Sequence, residues 1–558
     1  MNNTQPKILR FSALLLLTAL FYCGSINHKP TAKNYQADII IYGGTSGGIA
    51  AAIQASRMDK SVVLIEPSRR LGGLTTGGLG QTDIGNKQAI GGISREFYQN
   101  IRAYYNDTEN WKWQERTEYL DGGQTRTKEG EDAMWTFEPS AALQVYQQML
   151  TDAGIEVVMN ERLDRESGVT KRGEQIVQIT TESGTTYAGK MFIDATYEGD
   201  LMAAAGVDYF VGREANERYG ETYNGVQLLD GHQFPDGVDP YVVPGDSSSG
   251  LVWGISPASL DEKGTGDTLV QAYNFRICLT NVDENKVAIT RPNNYDSLRY
   301  ELLARLFGAQ PNMRAINQYF IWSRMPNAKT DINNRGGFST DMINWSHRYP
   351  EASYEERVEI IEAHQDYTQG LLYFYTSDPR VPTELQEEVQ RWGYPKDEYT
   401  DDSNWSPQLY VREARRLIGE HVMTQAHCQG KETVDDPVGM AAYTMDSHNC
   451  QRIVVNGQVK NEGNVEVGGF PPYPIAYRSI LPKQEQANNL LVPVCLSASH
   501  IAFGSIRMEP VFMVLGQSAA TAAAMAIDSS QGLHQLQYSQ LRERLLADKQ
   551  VLENINQK

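Results

Sequence analysis

The chain has 558 residues, a hydrophobic content of 41%, a charged content of 21% and a formal net charge of −19 at pH 7. The length predicts more than one domain, and the composition is typical of a globular protein. The acidic balance argues against nucleic acid as a partner and disfavours an anionic membrane surface, because binding to phosphates requires clustered Lys and Arg.

The N-terminal segment predicts export. Lys7 and Arg10 precede the apolar run 11–22, FSALLLLTALFY, which fits a signal peptide and is too short to span a bilayer comfortably. Cys23 follows at once and is a candidate lipidation site, although Tyr22 stands where lipoprotein processing requires a small residue. We expect a protein of the periplasm or cell envelope. A lipid anchor at Cys23 is the one membrane contact that the sequence allows.

The first elements of the mature chain predict a βαβ unit. The pattern indicates strands over 38–42 and 61–65 and a helix over 47–58. The turn GGTSGG at 43–48 presents bare amide groups at a helix N-terminus, where phosphates bind, although Thr45 replaces the middle glycine of GxGxxG. Glu66 ends the second strand, at the spacing of a carboxylate that accepts a ribose hydroxyl. These features favour dinucleotide binding over a purely structural glycine turn.

Two later features point to FAD. The second glycine cluster, LGGLTTGGLG at 71–80, allows close approach of backbone to a flavin, which extends further than nicotinamide. A predicted helix over 510–527 is rich in small residues, and its N-terminus would stabilise negative charge on the flavin pyrimidine edge. A predicted buried strand over 490–494 precedes it.

Eight stretches carry a wider resemblance. They are GGTSGGIAAAIQA (43–55), LGGLTTGGLG (71–80), GGISREFY (91–98), FIDATYEGDLMAAAG (192–206), DYTQGLLYFYTSDPRVP (366–382), VREARRLIGEHVMT (411–424), YTMDSHNCQR (443–452) and SASHIAFGSIRMEP (497–510). Together they resemble the exported bacterial FAD-dependent oxidoreductases, which are two-dinucleotide-binding-type flavoproteins. The resemblance implies FAD as cofactor but no particular substrate.

The FAD contacts implied by this resemblance and by the motifs form one set. They are Gly43, Gly44, Thr45, Gly47, Gly48, Glu66, Gly72, Gly73, Thr75, Thr76, Asp194, Glu509 and Gly516.

The expected fold class is α/β. It comprises a discontinuous Rossmann-like FAD-binding domain with an inserted α+β substrate or cap domain. The expected segments are a signal at 1–23, a tether at 24–36, the FAD-binding domain at 37–215 and 405–530, the cap region at 216–404 and a C-terminal helix and tail at 531–558.

Two histidines in family-like stretches are candidate catalytic bases, since imidazole accepts a proton near neutral pH. His448 lies beside Asp446, which we expect to orient its ring, and His500 precedes the last long helix. Arg507 is the candidate that stabilises an anion, with an Arg507–Glu509 pair closing the turn as the alternative. A structural role remains the alternative for each histidine, and the pattern predicts no metal site.

Other polar and aromatic groups have two interpretations each. The REARR cluster at 412–416 predicts a helix with a solvated or domain-bridging face. Four tryptophans of the cap region are candidates for stacking on a sugar ring or for the core: Trp253, Trp322, Trp345 and Trp392. Four later cysteines form no CxxC pair and fit either disulfides or buried thiols: Cys278, Cys428, Cys450 and Cys495.

The predicted function is that of an FAD-dependent oxidoreductase that oxidises a small hydroxylated molecule, a sugar or glycoside secondary alcohol, by hydride transfer to flavin. One dinucleotide fingerprint is visible, so we expect an acceptor of unknown identity instead of NAD(P)H. Two alternatives stay open. One is redox-neutral, flavin-assisted glycoside cleavage, and the other is a non-catalytic, FAD-containing, glycan-binding surface lipoprotein.

Overall fold

The computed structural model of the protein describes residue 1 and residues 32–554. The predicted signal, the Cys23 site and most of the tether lie outside the described residues. The helices are α1 (Ser46–Arg57), α2 (Gly73–Thr76), α3 (Gly92–Asn106), α4 (Pro139–Asp152), α5 (Asp200–Ala204), α6 (Asn216–Tyr219), α7 (Glu301–Ala309), α8 (Tyr354–Ser377), α9 (Thr383–Val389), α10 (Gln425–Cys428), α11 (His500–Ile506), α12 (Glu509–Ser529) and α13 (Tyr538–Ala547).

The strands follow the same order along the chain. They are β1 (Asn34–Tyr42), β2 (Val62–Glu66), β3 (Glu156–Met159), β4 (Val169–Arg172), β5 (Gln175–Thr180), β6 (Thr186–Asp194), β7 (Tyr209–Phe210), β8 (Lys286–Ala288), β9 (Phe320–Met325), β10 (Lys329–Asn334), β11 (Gly393–Pro395), β12 (Arg416–Leu417), β13 (Pro437–Ala441), β14 (Met445–Ser447), β15 (Gln451–Val455), β16 (Gln458–Glu462), β17 (Val465–Val467), β18 (Tyr473–Ala476) and β19 (Leu490–Leu491).

The central sheet has the order β3-β2-β1-β6-β5-β4, and β19 also pairs with β6. The pairs β1–β2, β1–β6, β2–β3 and β19–β6 are parallel, whereas β4 and β5 form an antiparallel extension. Strand β1 is wholly buried from Ile39 to Tyr42, as expected for a central strand covered on both faces. This arrangement confirms the Rossmann-like α/β class.

Helix α12 packs along α1 and forms the centre of the core. It is long and apolar enough to cross a membrane by length and composition, but 89% of that stretch is buried inside the protein. Ala519, Ala520 and Ala523 on α12 are fully buried. Such burial is that of a core helix in a globular fold.

The inserted region has a core of its own. Leu302 and Leu303 of α7 and Leu371 of α8 are buried among aromatic side chains, and β9 pairs with β10 nearby. The region therefore combines helices and short antiparallel strands, as the predicted α+β content requires. The four cysteines between 278 and 495 are buried and unpaired, which agrees with free thiols and not with disulfides.

Two secondary-structure predictions are wrong. The 490–494 strand shrinks to the two residues of β19. The 412–416 cluster is not a helix: residues 411–415 have no regular secondary structure, the segment enters β12 at Arg416, and its arginines are buried. Each of these charges has a different buried partner, because a buried charge is costly unless it is paired. The partners are Asp341 for Arg412, His500 for Glu413, Asp200 for Arg415 and Glu214 for Arg416.

Candidate FAD site and active-site cavity

The turn between β1 and α1 leaves no room for side chains. Gly43 has φ +108°, and a Cβ there would lie 2.7 Å from the backbone of Ala195. A Cβ on Gly48 would lie 1.9 Å from the Gly43 carbonyl oxygen, and one on Gly44 would meet Leu71 at 2.7 Å. The glycines thus bring β1, α1 and the end of β6 into backbone contact.

The first turn of α1 offers unpaired donors. Thr45 caps the helix by accepting the Gly48 N–H, and its hydroxyl donates to the Ala195 carbonyl at 2.7 Å. Ser46 and Gly47 are buried, and among the described residues no acceptor faces their amides. Buried amides normally have partners, and the oxygens of a diphosphate are acceptors that suit a helix N-terminus. The turn therefore fits the FAD pyrophosphate.

Glu66 stands at the end of β2 beside this turn. Its carboxylate accepts the N–H groups of Gly44 and Ser68, both at 2.7 Å. A carboxylate has about four acceptor positions, so two remain for ribose hydroxyls. Burial raises the pKa of Glu66 to about 6.

Glu509 joins the N-terminus of α12 to that of α1. Its carboxylate accepts hydroxyl protons from Ser46 at 2.5 Å, Tyr197 at 2.6 Å and Thr75 at 2.8 Å. Burial raises the pKa of Glu509. Two predicted contacts, Thr75 and Glu509, are thereby brought together with the phosphate-binding turn. Gly516, two turns further along α12, lies so close to α1 that a Cβ would be 2.0 Å from the Gly47 carbonyl oxygen.

Three further predicted FAD contacts, Gly72, Gly73 and Thr76, lie in the second glycine cluster. The Gly72 N–H donates to the Gly44 carbonyl at 2.7 Å, so the second glycine cluster folds back on the first. Gly73 packs against the Tyr197 ring, and the Thr76 hydroxyl donates to the Leu71 carbonyl.

Asp194 contacts its own turn instead of the glycine turn. Its carboxylate accepts the N–H and hydroxyl of Thr196 and the Met202 N–H. Burial raises the pKa of Asp194 to about 6. Its FAD contact stays a prediction, and the geometry assigns its carboxylate to holding the turn after β6.

A cavity of about 710 Å³ lies beyond the C-terminal ends of β2 and β3. Arg69, Arg70, Val157 and Met159 contribute to its wall. In open α/β sheets, ligands bind outside the carboxyl ends of the strands, so this cavity suits the adenosine end of FAD.

A second cavity, of about 590 Å³, lies where the glycine segment 71–80 ends. Its polar lining includes Gln81, Asp83, Tyr410, Tyr443, Asp446 and His448. Tyr410 connects it to the cofactor side, because its ring packs with Leu74 and Leu79, and its hydroxyl accepts from Arg507 at 2.7 Å. Arg507 lies two residues before Glu509, the first residue of α12. This second cavity thus adjoins the elements that fit FAD.

Of the two candidate histidines, His448 has the geometry of a base. Its Nδ1 lies 2.8 Å from Asp341 Oδ2, and Asp446 Oδ2 is 3.7 Å from its Nε2. Because a carboxylate only accepts, Nδ1 carries the proton and the Nε2 lone pair is left for the cavity. Burial and then the Arg412 guanidinium lower the pKa of His448, against the pull of Asp341 and Asp446. Asp341, not the expected Asp446, orients the ring.

His500 has a different environment. It is fully buried, its Nδ1 donates to Glu413, and the Ser447 hydroxyl lies 2.9 Å from its Nε2. Both ring nitrogens are therefore occupied, and His500 is not part of the cavity wall. The geometry favours His448 over His500 as the base.

The alternative Arg507–Glu509 pair is not formed. Arg507 donates to the Tyr410 hydroxyl and to the Asp446 carbonyl and approaches the Asp446 carboxylate at 3.3 Å. Glu509 instead binds the three hydroxyls on the FAD side. Arg507 therefore holds Asp446 and Tyr410 at the cavity wall.

Sequence reasoning missed Asp341, Tyr410 and Arg276. Asp341 is 107 positions from His448, and no local motif connects them. Arg276 belongs to the cavity lining and donates two hydrogen bonds to Asp331 at 2.6 and 2.7 Å. Gln81 and Asp83 could have been predicted as cavity residues from the sequence, since they follow the glycine segment 71–80 closely.

The four tryptophans do not line this cavity. Trp253 stacks between Trp345 and Tyr367, and Trp322 contacts Trp392 edge-on. They pack against other aromatic rings of the inserted region, with Trp345 exposed, so the aromatic surface within this cavity belongs to Tyr410 and Tyr443.

A Rossmann-like sheet, a bare-amide turn and an acidic residue ending β2 define the class of dinucleotide-binding flavoproteins. A family model described as FAD dependent oxidoreductase matches residues 38–545. The chain belongs to this family: it is an FAD-dependent oxidoreductase and binds FAD. This assignment disfavours the non-catalytic alternative.

Solved structures resemble parts of the chain. The anhydrotetracycline hydroxylase OxyS from Streptomyces rimosus is 10% identical with a TM-score of 0.22, and the match covers 36% of each chain. A 3-ketosteroid-Δ4-(5α)-dehydrogenase from Rhodococcus jostii RHA1 is 15% identical with a TM-score of 0.20, over 32% of this chain and 50% of that one. A flavin monooxygenase from Stenotrophomonas maltophilia is 16% identical with a TM-score of 0.19, over 35% and 45%.

The chain thus spans half or less of these structures, and the scores are too low to support a shared substrate. No curated protein matches the sequence.

Proposed function

We propose that the protein oxidises a secondary alcohol of a small hydroxylated substrate, a sugar or glycoside, with His448 as the base. The observation that carries this proposal is the His448 imidazole, held through Nδ1 by Asp341 with its other nitrogen at a polar cavity. Bound FAD supplies the acceptor for the hydride that such an oxidation releases.

The neighbours of His448 support this role. Burial by itself would raise the pKa of Asp341, but Arg412 at 3.0 Å together with His448 and His232 outweighs it, so this pKa is lowered and the carboxylate stays ionised. The lowered pKa of His448 keeps its ring neutral at neutral pH, which is the form that accepts a proton. His448 then takes the hydroxyl proton of the substrate at Nε2, and Asp341 stabilises the imidazolium that forms.

The wall of the cavity suits a molecule with several hydroxyls. Gln81, Asn333 and Tyr443 supply donors and acceptors, and Asp83 and Asp446 supply acceptors. The predicted signal at 1–23 adds export to the proposal, with an acceptor other than NAD(P)H outside the cytoplasm.

The test is anaerobic bleaching of the FAD-loaded protein by a panel of carbohydrates and polyols, in the parent and in His448→Ala and His500→Ala. We expect both variants to remain yellow, and His448→Ala to bleach about a hundredfold more slowly, the usual contribution of a general base. His500→Ala should lose less, because its ring does not reach the cavity. Bleaching of His448→Ala at the parental rate would show that His448 is not the base.

A further inference from the structure

Tyr410 is held where the cofactor side meets the 590 Å³ cavity. The residue is 7% exposed, and its backbone N–H donates to the Asn274 carbonyl at 2.8 Å. Its ring packs with Leu74 and Leu79, and the Arg412 guanidinium carbon lies 4.5 Å from the ring centroid. These contacts fix the ring, and the position of its hydroxyl group is fixed with it.

The hydroxyl group of Tyr410 is engaged as an acceptor but not as a donor. Its oxygen accepts a hydrogen bond from Arg507 Nη1 at 2.7 Å. Arginine has no acceptor, so this contact leaves the hydroxyl proton unused. Among the residues that the structure describes, none accepts that proton. Because buried donors are normally paired, the acceptor that suits this proton is a molecule in the cavity that Tyr410 lines.

The other tyrosine of the cavity differs in this respect. The Tyr443 hydroxyl lies 3.4 Å from Asp83 Oδ1, so its proton has an acceptor within the protein. Burial raises the pKa of Tyr410 and outweighs the opposing effect of the nearby arginines, so the phenol keeps its proton at neutral pH. Of the two tyrosines in the lining, Tyr410 is thus the one with a proton to donate to a bound molecule.

A chain of contacts leads from Tyr410 to the proposed base. Arg507, which donates to Tyr410, also donates to the Asp446 carbonyl at 3.0 Å and lies 3.3 Å from the Asp446 carboxylate. That carboxylate is 3.7 Å from His448 Nε2. The phenol and the imidazole therefore border the same part of the cavity. A substrate hydroxyl there can donate to Nε2 and accept from Tyr410 at the same time.

We propose that Tyr410 is a second catalytic residue, which donates a hydrogen bond to the substrate oxygen that is oxidised. The O–H proton passes to His448 Nε2, the hydride of the same carbon passes to the flavin, and the C–O single bond becomes a carbonyl. Partial negative charge collects on the oxygen as its proton leaves, and a fixed donor stabilises that charge. Tyr410 keeps its own proton throughout. This inference rests on the proposed oxidation and adds a residue to its mechanism.

The kinetic test compares Tyr410→Phe with the parent, both loaded with FAD, using the panel sugar that bleaches the parent fastest. We expect bleaching at saturating sugar to be about a hundredfold slower, the usual contribution of one such donor, with little change in the dissociation constant of the sugar. The rate should fall by the same factor at every pH, because His448 remains the base. Phenylalanine retains the ring that packs with Leu74 and Leu79, so the variant should remain yellow.

Tyr219→Phe is the matched control. The Tyr219 hydroxyl also accepts from an arginine, Arg218 at 3.2 Å, but Tyr219 lies outside the cavity lining. This variant should bleach at the parental rate.

A second measurement needs no turnover. It is the infrared spectrum of dihydroxyacetone, isotope-labelled at its carbonyl carbon, in the presence of the FAD-loaded protein. This ketone is what oxidation of the secondary alcohol of glycerol yields, and a hydrogen bond to its carbonyl lowers the stretching frequency. We expect a shifted band in the parent and in Tyr219→Phe, and its loss in Tyr410→Phe.

Parental bleaching by Tyr410→Phe, or the absence of a shifted carbonyl band in the parent, would overturn the inference. A slower rate that is explained by loss of FAD or of sugar binding would also overturn it, since Tyr410 would then have a structural role. Loss of the pH dependence in Tyr410→Phe would make Tyr410 the base and reject its role as a donor. If no sugar bleaches the parent but the band shift depends on Tyr410, the result supports the hydrogen bond and counts against the oxidation.

Discussion

Glu66 ends β2 with a fully buried carboxylate that already accepts two backbone hydrogen bonds. Burial raises its pKa to about 6, above the ordinary value of 4.5. In the protein without FAD, this shift favours the protonated form, so the contribution of Glu66 to stability falls as the pH rises from 4.5 to about 6. Ribose hydroxyls donate to the ionised form, so FAD binding must release a proton from Glu66 in this range.

We therefore expect FAD to bind more tightly as the pH rises through about 6, and Glu66→Gln to remove this dependence. The dissociation constant is measured by quenching of FAD fluorescence at several pH values. Asp194→Asn is the matched control, because Asp194 has the same raised pKa but its carboxylate is occupied by Thr196 and Met202. If Asp194→Asn loses the pH dependence and Glu66→Gln keeps it, the ribose contact belongs to Asp194 and not to Glu66.

The same residues show which contacts can be predicted from positions that are close in the sequence. The glycines of 43–48 and Glu66 were identified because a turn and an adjacent strand end are close in sequence. The partner of His448 was assigned to Asp446 for the same reason, and the structure gives that position to Asp341. An ionisable group takes the partner that tertiary packing brings nearest, and sequence separation does not constrain it.

At the level of elements, the contact between α1 and α12 determines where the phosphate-binding amides lie. Gly47 and Gly516 meet backbone to backbone, and a Cβ on Gly516 would lie 2.0 Å from the Gly47 carbonyl oxygen. The sequence shows that both helices are rich in small residues. It does not show that these two helices pack against each other.

We expect Gly516→Ala to lower the free energy of unfolding by about 1–3 kcal/mol through overpacking. It should also weaken FAD binding, because α1 must shift with its N-terminal amides. Gly308→Ala is the control, since Gly308 lies in α7 with open space around its Cβ position. Alanine is the better helix former there, so that variant should be unchanged or slightly more stable. Urea unfolding and FAD titration of both proteins decide the matter, and equal stabilities would contradict the packing argument.

At the level of the whole molecule, a buried lysine connects segments that are far apart in the chain. Lys329 of β10 lies 2.7 Å from Glu138 at the start of α4, 2.8 Å from Glu398 and 3.0 Å from Asp397. Burial by itself would lower the pKa of Lys329, but the three carboxylates outweigh it and raise this pKa. The inserted region is thereby tied to the FAD-binding region by charge as well as by apolar packing.

Lys329→Met should lower the free energy of unfolding by about 3–5 kcal/mol at neutral pH, because three carboxylates lose their cation. Part of this loss should be recovered as the pH falls, since the carboxylates become protonated. Lys460→Met is the surface control, because the partner Asp236 is 82% exposed and such pairs contribute about 0–1 kcal/mol. A loss in Lys329→Met no larger than in Lys460→Met would show that the buried cluster adds nothing.

The sequence alone determined the βαβ start, the FAD chemistry and the family, because each depends on short stretches whose residues act within one turn, strand or helix. The burial of the charges at 412–416, the Asp341–His448 pair and the lining of the cavity were decided only by tertiary structure. In these cases the energy comes from desolvated charges finding partners across the fold, and no periodicity or spacing along the chain records which partners meet.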